Sequence, residues 1–361
     1  MTLRERGLAT GRLPPGPNNT ITDVAGVRVG HVTLIRGEGP LRPGMGPVRT
    51  GVTAIWPHAG DPFREKVKAG LHVINGFGKT VGLSQVAELG RLETPILLTN
   101  TLNVGLVADA LVSEMIAANP EIGVTTGTVN PVVGECSDAW LNDIQGRHVG
   151  ADHVAQALRE AAGGPVAGGS VGAGTGMTAF GYKAGIGCSS REVAAEGLSF
   201  TLGTLVLANF GARGDLAIAG VPVGRLLGGE SAVEPVTGGS VMVVLATDAP
   251  LGSRQLGRLA RRAQVGLART GSHAFHGSGD FVLAFSTVNG EPHLPHPSVR
   301  QESRLLDHSP LFDHLLRGVA EAVEEAVYNA LVLAGAMTGR DGHHAAALPV
   351  DQVLELIDRE G

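Results

Sequence analysis

Short apolar runs alternate along this chain with stretches of helical periodicity. Runs at residues 52–56, 96–99, 202–208, 241–246 and 281–285 are β-prone and of strand length, and they predict buried strands. Leu256, Leu259, Ala260, Ala263 and Leu267 recur at three- and four-residue steps, with Arg254, Arg258, Arg261 and Arg262 on the opposite face. That spacing predicts an amphipathic helix, with Ser253 as its N-cap and Gly271 as its stop. Leu315, Val319, Val323, Val327, Leu331 and Ala334 predict a second helix, and residues 154–162 a shorter one ending at Gly163-Gly164-Pro165. Strands and helices alternate with no clear linker, repeat or low-complexity segment. The pattern predicts an α/β protein whose sheets are covered by helices on their outer faces.

With 361 residues, the chain has room for one large domain or two modest ones. A net charge of −6, and the lack of any Lys/Arg run, argue against a nucleic-acid or membrane-surface partner. Glycine changes the picture more: 54 residues is about twice the usual share, spread among apolar strands. Tight turns and close backbone approaches are expected from it. Cys136 and Cys188 allow at most one disulfide and give no zinc pattern. The first sixteen residues carry no apolar signal-peptide core, and no apolar run is expected to span a bilayer. The expectation is a reducing, cytoplasmic setting.

The candidate chemistry centres on TGGSVMVVLATDAP, residues 237–250. A Gly-Gly turn delivers Ser240 to the first position of a buried strand. If its hydroxyl attacks the carbonyl of Gly239, the chain breaks and the freed α-amine stands beside the same hydroxyl as a general base. Gly239 suits that step, because a residue without Cβ tolerates unusual dihedrals and leaves its carbonyl open. The plain alternative is a Gly-Gly turn leading into an ordinary core strand.

The rest of the chain weighs against that alternative. NNTITDVAGVRVGHVT (18–33), GVTAIWPH (51–58), ILLTNTLNVG (96–105), VVGECSDAWLND (132–143), SVGAGTGM (170–177), LVLANFG (205–211), HGSGDFVLAFST (276–287) and EEAVYNALVLAGAMTGRDG (324–342) occur in one order. Together with residues 237–250 they resemble the DmpA-like family of self-processing L-aminopeptidase/D-esterases and β-peptidyl aminopeptidases. The resemblance implies a four-layer α/β/β/α sandwich, cleaved into a 1–239 α-chain and a 240–361 β-chain that stay together.

It also implies Ser240 as nucleophile, Asn209 as oxyanion donor, Ser278 and Asp280 beside the new N-terminus, and Glu135 as the contact for the substrate's free amine. Short peptides, amides or esters are the implied substrates, and a homotetramer the implied assembly. The configuration of the substrate, α-L, β or D, stays open. The chain departs from the pattern in three places. Asp280 stands where many relatives carry glutamate, Ser137 where some carry a tyrosine oxyanion donor, and Lys79 where an acidic residue is frequent. Either Ser137 or a backbone amide then fills the tyrosine's role.

Read without the resemblance, Gly-Ser-Gly-Asp (277–280) is a surface turn, Asn-Phe-Gly (209–211) a turn former and Glu135 a solvated loop acid. GFGKT (76–80) lacks the first glycine of a phosphate loop, and residues 168–177 lack dinucleotide-binding spacing. The thirteen histidines, including His293, His296, His343 and His344, show no metal-binding motif and read as surface residues. No cofactor or metal is expected. Two other readings stand: an acetyl-transferring relative of arginine biosynthesis, which uses a threonine nucleophile, and an uncleaved binding protein with the same fold.

Overall fold

In the computed structural model, which describes residues 1–228, 238–294 and 298–360, strands of opposite facing build two principal sheets. The first contains β1 (Arg28–Arg36), β2 (Val48–Trp56), β5 (Ile96–Asn100) and β6 (Val132–Cys136), in that spatial order. The second contains β3 (Glu65–Gly76), β4 (Arg91–Leu92), β9 (Ile186–Ala195), β10 (Leu198–Asn209), β11 (Gly239–Thr247) and β12 (Ser278–Pro292). Its order is β4-β3-β12-β11-β10-β9, with β11 antiparallel to β10 and parallel to β12. Two small hairpins pair β7 (Thr178–Ala179) with β8 (Tyr182–Lys183), and β13 (Met337–Thr338) with β14 (His344–Ala345). The helices are α1 (Leu83–Leu89), α2 (Val104–Ala118), α3 (Ala151–Arg159), α4 (Val223–Leu226), α5 (Ser253–Arg269), α6 (Pro310–Val332) and α7 (Val350–Glu360).

Strand alternation divides the core into three apolar layers. Met242, Val244 and Ala246 of β11 face the first sheet and meet Ile55, Leu98, Val132 and Cys136 there. Val241, Val243 and Leu245 face the other way, onto Leu256 and Leu259 of α5 and Val319 and Val323 of α6. On the far side of the first sheet, Val52, Ala54, Leu97 and Val133 pack against Val107 and Leu111 of α2 and Val154 and Ala157 of α3. Helix, sheet, sheet, helix is the α/β/β/α order that the sequence reading expected. The glycine excess serves it: a Cβ on Gly187 of β9 would stand 1.8 Å from the Ala326 carbonyl of α6.

The predicted strands are longer at both ends or embedded in longer ones, and the helices differ in detail. The N-cap of α5 is Gly252, whose N–H donates to Gln255 Oε1 at 3.1 Å, while the Ser253 hydroxyl donates to the Gly90 carbonyl at 2.7 Å. Gly271 does end the helix, at φ 98°. Helix α3 stops at Arg159 because Ala162 exchanges hydrogen bonds with Val29 at the edge of β1. Residues 101–118 correct one expectation, because they do reach bilayer-spanning length, with mean hydropathy 1.4. Val104, Val107, Leu111 and Met115 are nevertheless buried, the helix lying on β5, β6 and α3.

A buried ionic cluster ties the N-terminal segment to α6. Glu325 accepts from Arg191 Nη2 at 2.6 Å, from Arg4 Nη2 at 2.7 Å and from Asn19 Nδ2 at 2.8 Å. Burial opposes the charged form of Glu325, but the Arg4 hydrogen bond and the charges of Arg191 and Arg4 outweigh it. Its pKa therefore lies below the usual carboxylate value.

Candidate active site

The chain enters β11 through Gly238 and Gly239, at φ 112° and 149°, a region that favours glycine. Ser240 follows as a buried strand residue, paired across the ladder with Asn209 on one side and Gly279 on the other. Its side chain lies on the Met242 face, between the sheets. Two donors converge on Ser240 Oγ there: the Asn209 Nδ2 amide and the Ser137 backbone N–H, each at 3.3 Å. The Thr178 N–H donates to Asn209 Oδ1 at 3.2 Å, which leaves the Asn209 NH₂ group to face the serine. Ser137 thus meets the Ser240 hydroxyl through its backbone N–H.

Ser278 and Asp280 lie inside β12, not in a surface turn. The parallel register sets Gly239 opposite Ser278 and Val241 opposite Asp280. The Ser278 side chain flanks Gly239, the Asp280 side chain lies one step along, on the face of the sheet opposite the Ser240 hydroxyl, and neither hydrogen bonds that hydroxyl. Ser278 Oγ donates to Asp280 Oδ1 at 2.6 Å, and Asp280 Oδ2 is buried with no partner among the described residues. Burial raises the Asp280 pKa, while the Ser278 hydrogen bond works in the opposite direction. A Cβ on Gly239 would sit 3.1 Å from Ser278 Oγ, so the glycine also makes room for this pair.

Glu135 is a buried residue of β6, not solvated. Its carboxylate accepts from the Lys79 backbone N–H at 2.9 Å and from the Thr101 hydroxyl. The Lys79 side chain turns away from it. Its ammonium lies 4.2 Å above the Phe77 ring and donates to the Phe77 carbonyl at 2.9 Å. Ser240, Asn209, Ser137 and Glu135 all line one cavity of about 550 Å³.

The sequence reading missed several supports of this site. Asp138 is fully buried, accepts from Asn142 Nδ2 at 3.0 Å and holds the turn that presents Ser137; burial lifts its pKa to about 7. Its signal was the i, i+4 pairing of Asp138 with Asn142. Lys183 donates to the carbonyls of Gly174 and Met177, at 3.2 and 2.9 Å, and so anchors the glycine-rich loop leading to Thr178. Burial lowers its pKa to about 7. Two of the loop histidines are more engaged than surface residues, His343 stacking on Trp140 at 3.8 Å and His293 packing at 4.3 Å from Phe63, whereas His344 is exposed as expected. His296 and Thr237 lie outside the described residues.

Comparison with known proteins agrees with this geometry. The model of peptidase family S58 matches residues 19–345. The β-peptidyl aminopeptidase BapA of Sphingosinicella xenopeptidilytica is 44% identical over 95% of this chain and 88% of its own length. Among solved structures, a protein of Pyrococcus horikoshii OT3 (PH0078) superposes with TM-score 0.94 at 52% identity, covering 99% of both chains. A Burkholderia sp. β-aminopeptidase gives 0.91 at 42%, over 100% of this chain and 99% of its own. The L-aminopeptidase D-Ala-esterase/amidase of Ochrobactrum anthropi, described as a variant of the Ntn hydrolase fold, gives 0.91 at 39%, over 99% and 98%. The chain belongs to peptidase family S58 and is an aminopeptidase.

Proposed function

We propose that the chain cuts itself between Gly239 and Ser240 and then uses Ser240 as an amino-terminal nucleophile to release N-terminal residues from short peptides, amides or esters. The observation that carries this is Ser240 itself: a buried strand-opening serine, preceded by two positive-φ glycines, with two hydrogen-bond donors converging on its hydroxyl. In the first step Ser240 Oγ adds to the Gly239 carbonyl, the Ser240 C–N linkage passes to an ester, and water releases the α-chain as a carboxylate. In the mature enzyme the freed α-amine takes the proton of Oγ as the hydroxyl attacks the substrate carbonyl. Asn209 Nδ2 and the Ser137 N–H are the nearest donors for the developing oxyanion. The leaving amine departs with that proton, and water resolves the acyl-enzyme.

The unpartnered Asp280 Oδ2 gives the new ammonium a buried counter-charge, with Ser278 holding the carboxylate in place. The α-amine, ordinarily of pKa about 7.7–8.0 and shifted upward by a neighbouring carboxylate, must be neutral to take the Oγ proton, so turnover is expected to rise from acid toward mildly alkaline pH. Glu135 binds the substrate's ammonium. The relatives named for β-peptide bonds are more identical to this chain than the one named for L- and D-Ala substrates, so β-residues are the first class to test. A cytoplasmic homotetramer of cleaved units is the proposed assembly.

A panel of p-nitroanilides differing only in the N-terminal residue ranks the substrate classes. N-acetylating the best of them decides the role of Glu135. Capping removes the charge, and losing such a buried pair typically costs about 2–5 kcal/mol, roughly 30- to several-thousand-fold in rate. Glu135→Gln is expected to lose activity on the free amine and change little on the capped compound. Equal rates on capped and free versions in the unmodified enzyme would remove amine recognition from the account.

A further inference from the structure

We propose that Arg340 is a subsite for the α-carboxylate of the leaving residue, and that it selects dipeptides with a free C-terminus. The inference rests on the aminopeptidase reading and adds the substrate's other end. Along β6 and the turn after it, the chain presents three groups to the cavity in sequence. Glu135 comes first, and the Ser137 N–H at Ser240 Oγ second. The Ala139 carbonyl comes third, accepting from Arg340 Nε at 2.7 Å. Glu135, Ser240 and Arg340 all line this one cavity. A dipeptide with its ammonium at Glu135 and its scissile carbonyl at Ser240 extends its leaving residue toward Arg340.

The guanidinium is held in place along one edge only. Besides the Nε bond, Nη1 donates to Asp341 Oδ2 at 3.0 Å, and the Arg340 backbone N–H donates to the Leu141 carbonyl at 3.0 Å. Asp341 is fixed in turn, accepting at Oδ1 from the Leu41 N–H at 2.7 Å. Nη2 is left without a partner among the described residues, on a side chain 26% exposed that lines the cavity. A preoriented guanidinium with one open amino group suits a carboxylate. Trp140, braced by the stacked His343, forms the wall beside it.

Charge balance points to the same ligand. Among the described residues, the charged side chains lining the cavity are Glu135, Lys79 and Arg340, one anion and two cations. The Lys79 ammonium is already engaged by the Phe77 ring and carbonyl. A ligand carrying only an ammonium neutralises Glu135 and gives no acceptor to the open Nη2 of Arg340, whose Nη1 is already paired with Asp341. A zwitterionic dipeptide satisfies both ends.

The test compares kcat/KM for one dipeptide as its free acid and as its C-terminal amide, in the wild type and in Arg340→Lys and Arg340→Gln, with the p-nitroanilide of the same N-terminal residue as a reference. The wild type is expected to favour the acid by roughly 10- to 100-fold, the worth of one charged hydrogen bond. The preference should shrink in Arg340→Lys and vanish in Arg340→Gln. A wild type that turns over acid and amide equally overturns the proposal without need of any variant, and so does an acid preference that survives Arg340→Gln. Failure to turn over the p-nitroanilide would instead strike the aminopeptidase reading.

Discussion

Ser240 and Asn209 are thirty-one positions apart in sequence and direct partners across the β10–β11 ladder, and that pairing brings the amide to the hydroxyl. Asn209→Ala is expected to fold, because the residue sits at the last position of β10 and its loss empties little apolar volume. Steady-state kinetics should show kcat down by about 10²–10³ with KM little changed, since an oxyanion exists only along the reaction path. A rise in KM at constant kcat would move Asn209 to substrate binding. Nothing in Asn-Phe-Gly alone distinguished this residue from a turn former. The resemblance alone pointed to it, because strand pairing is a long-range property that local residue pattern does not encode. Ser137 was legible only as a missing tyrosine. Its backbone N–H carries no side-chain signal, and its orientation depends on the buried Asp138–Asn142 contact.

Among the elements, strands buried on both faces were legible because their apolar runs are continuous. Strands β1, β3 and β9 mix polar residues into their patterns, as in the Glu65–Gly76 stretch, and escaped notice. Ser278 and Asp280 were misread locally for a related reason: a polar pair inside a buried strand contradicts the pattern rule wherever a site needs it there. Helix α6 shows the same exception on a larger scale. Its Glu321, Glu324 and Glu325 are buried, and Glu325 holds Arg4 and Arg191.

Truncating one partner of such a pair typically costs about 3–5 kcal/mol, so Glu325→Ala should lower the chemical-denaturation midpoint markedly. The pH dependence has a definite sign. The folded pKa of Glu325 lies below its ordinary 4.5. Its contribution is therefore fully present above 4.5 and is lost as pH falls through the lower folded value. Wild-type stability should fall more steeply than that of Glu325→Gln across this acid window. Parallel curves would mean that Glu325 contributes no linkage.

For the molecule as a whole, the layers explain how a cut chain stays together. Residues 241–246 form the middle of the second sheet, with neighbours on both sides and apolar layers on both faces, so cleavage before Ser240 severs no packing contact. The four-layer order was not legible from periodicity, which fits a doubly wound sheet equally well. The resemblance supplied it. The central claim is that this enzyme makes its own nucleophile, and N-terminal sequencing of the purified, active protein tests it most directly. The account predicts two chains from one precursor, the shorter beginning Ser-Val-Met-Val, and a Ser240→Ala variant that stays whole and inactive. Full activity in a preparation containing only the uncut 361-residue chain would contradict it.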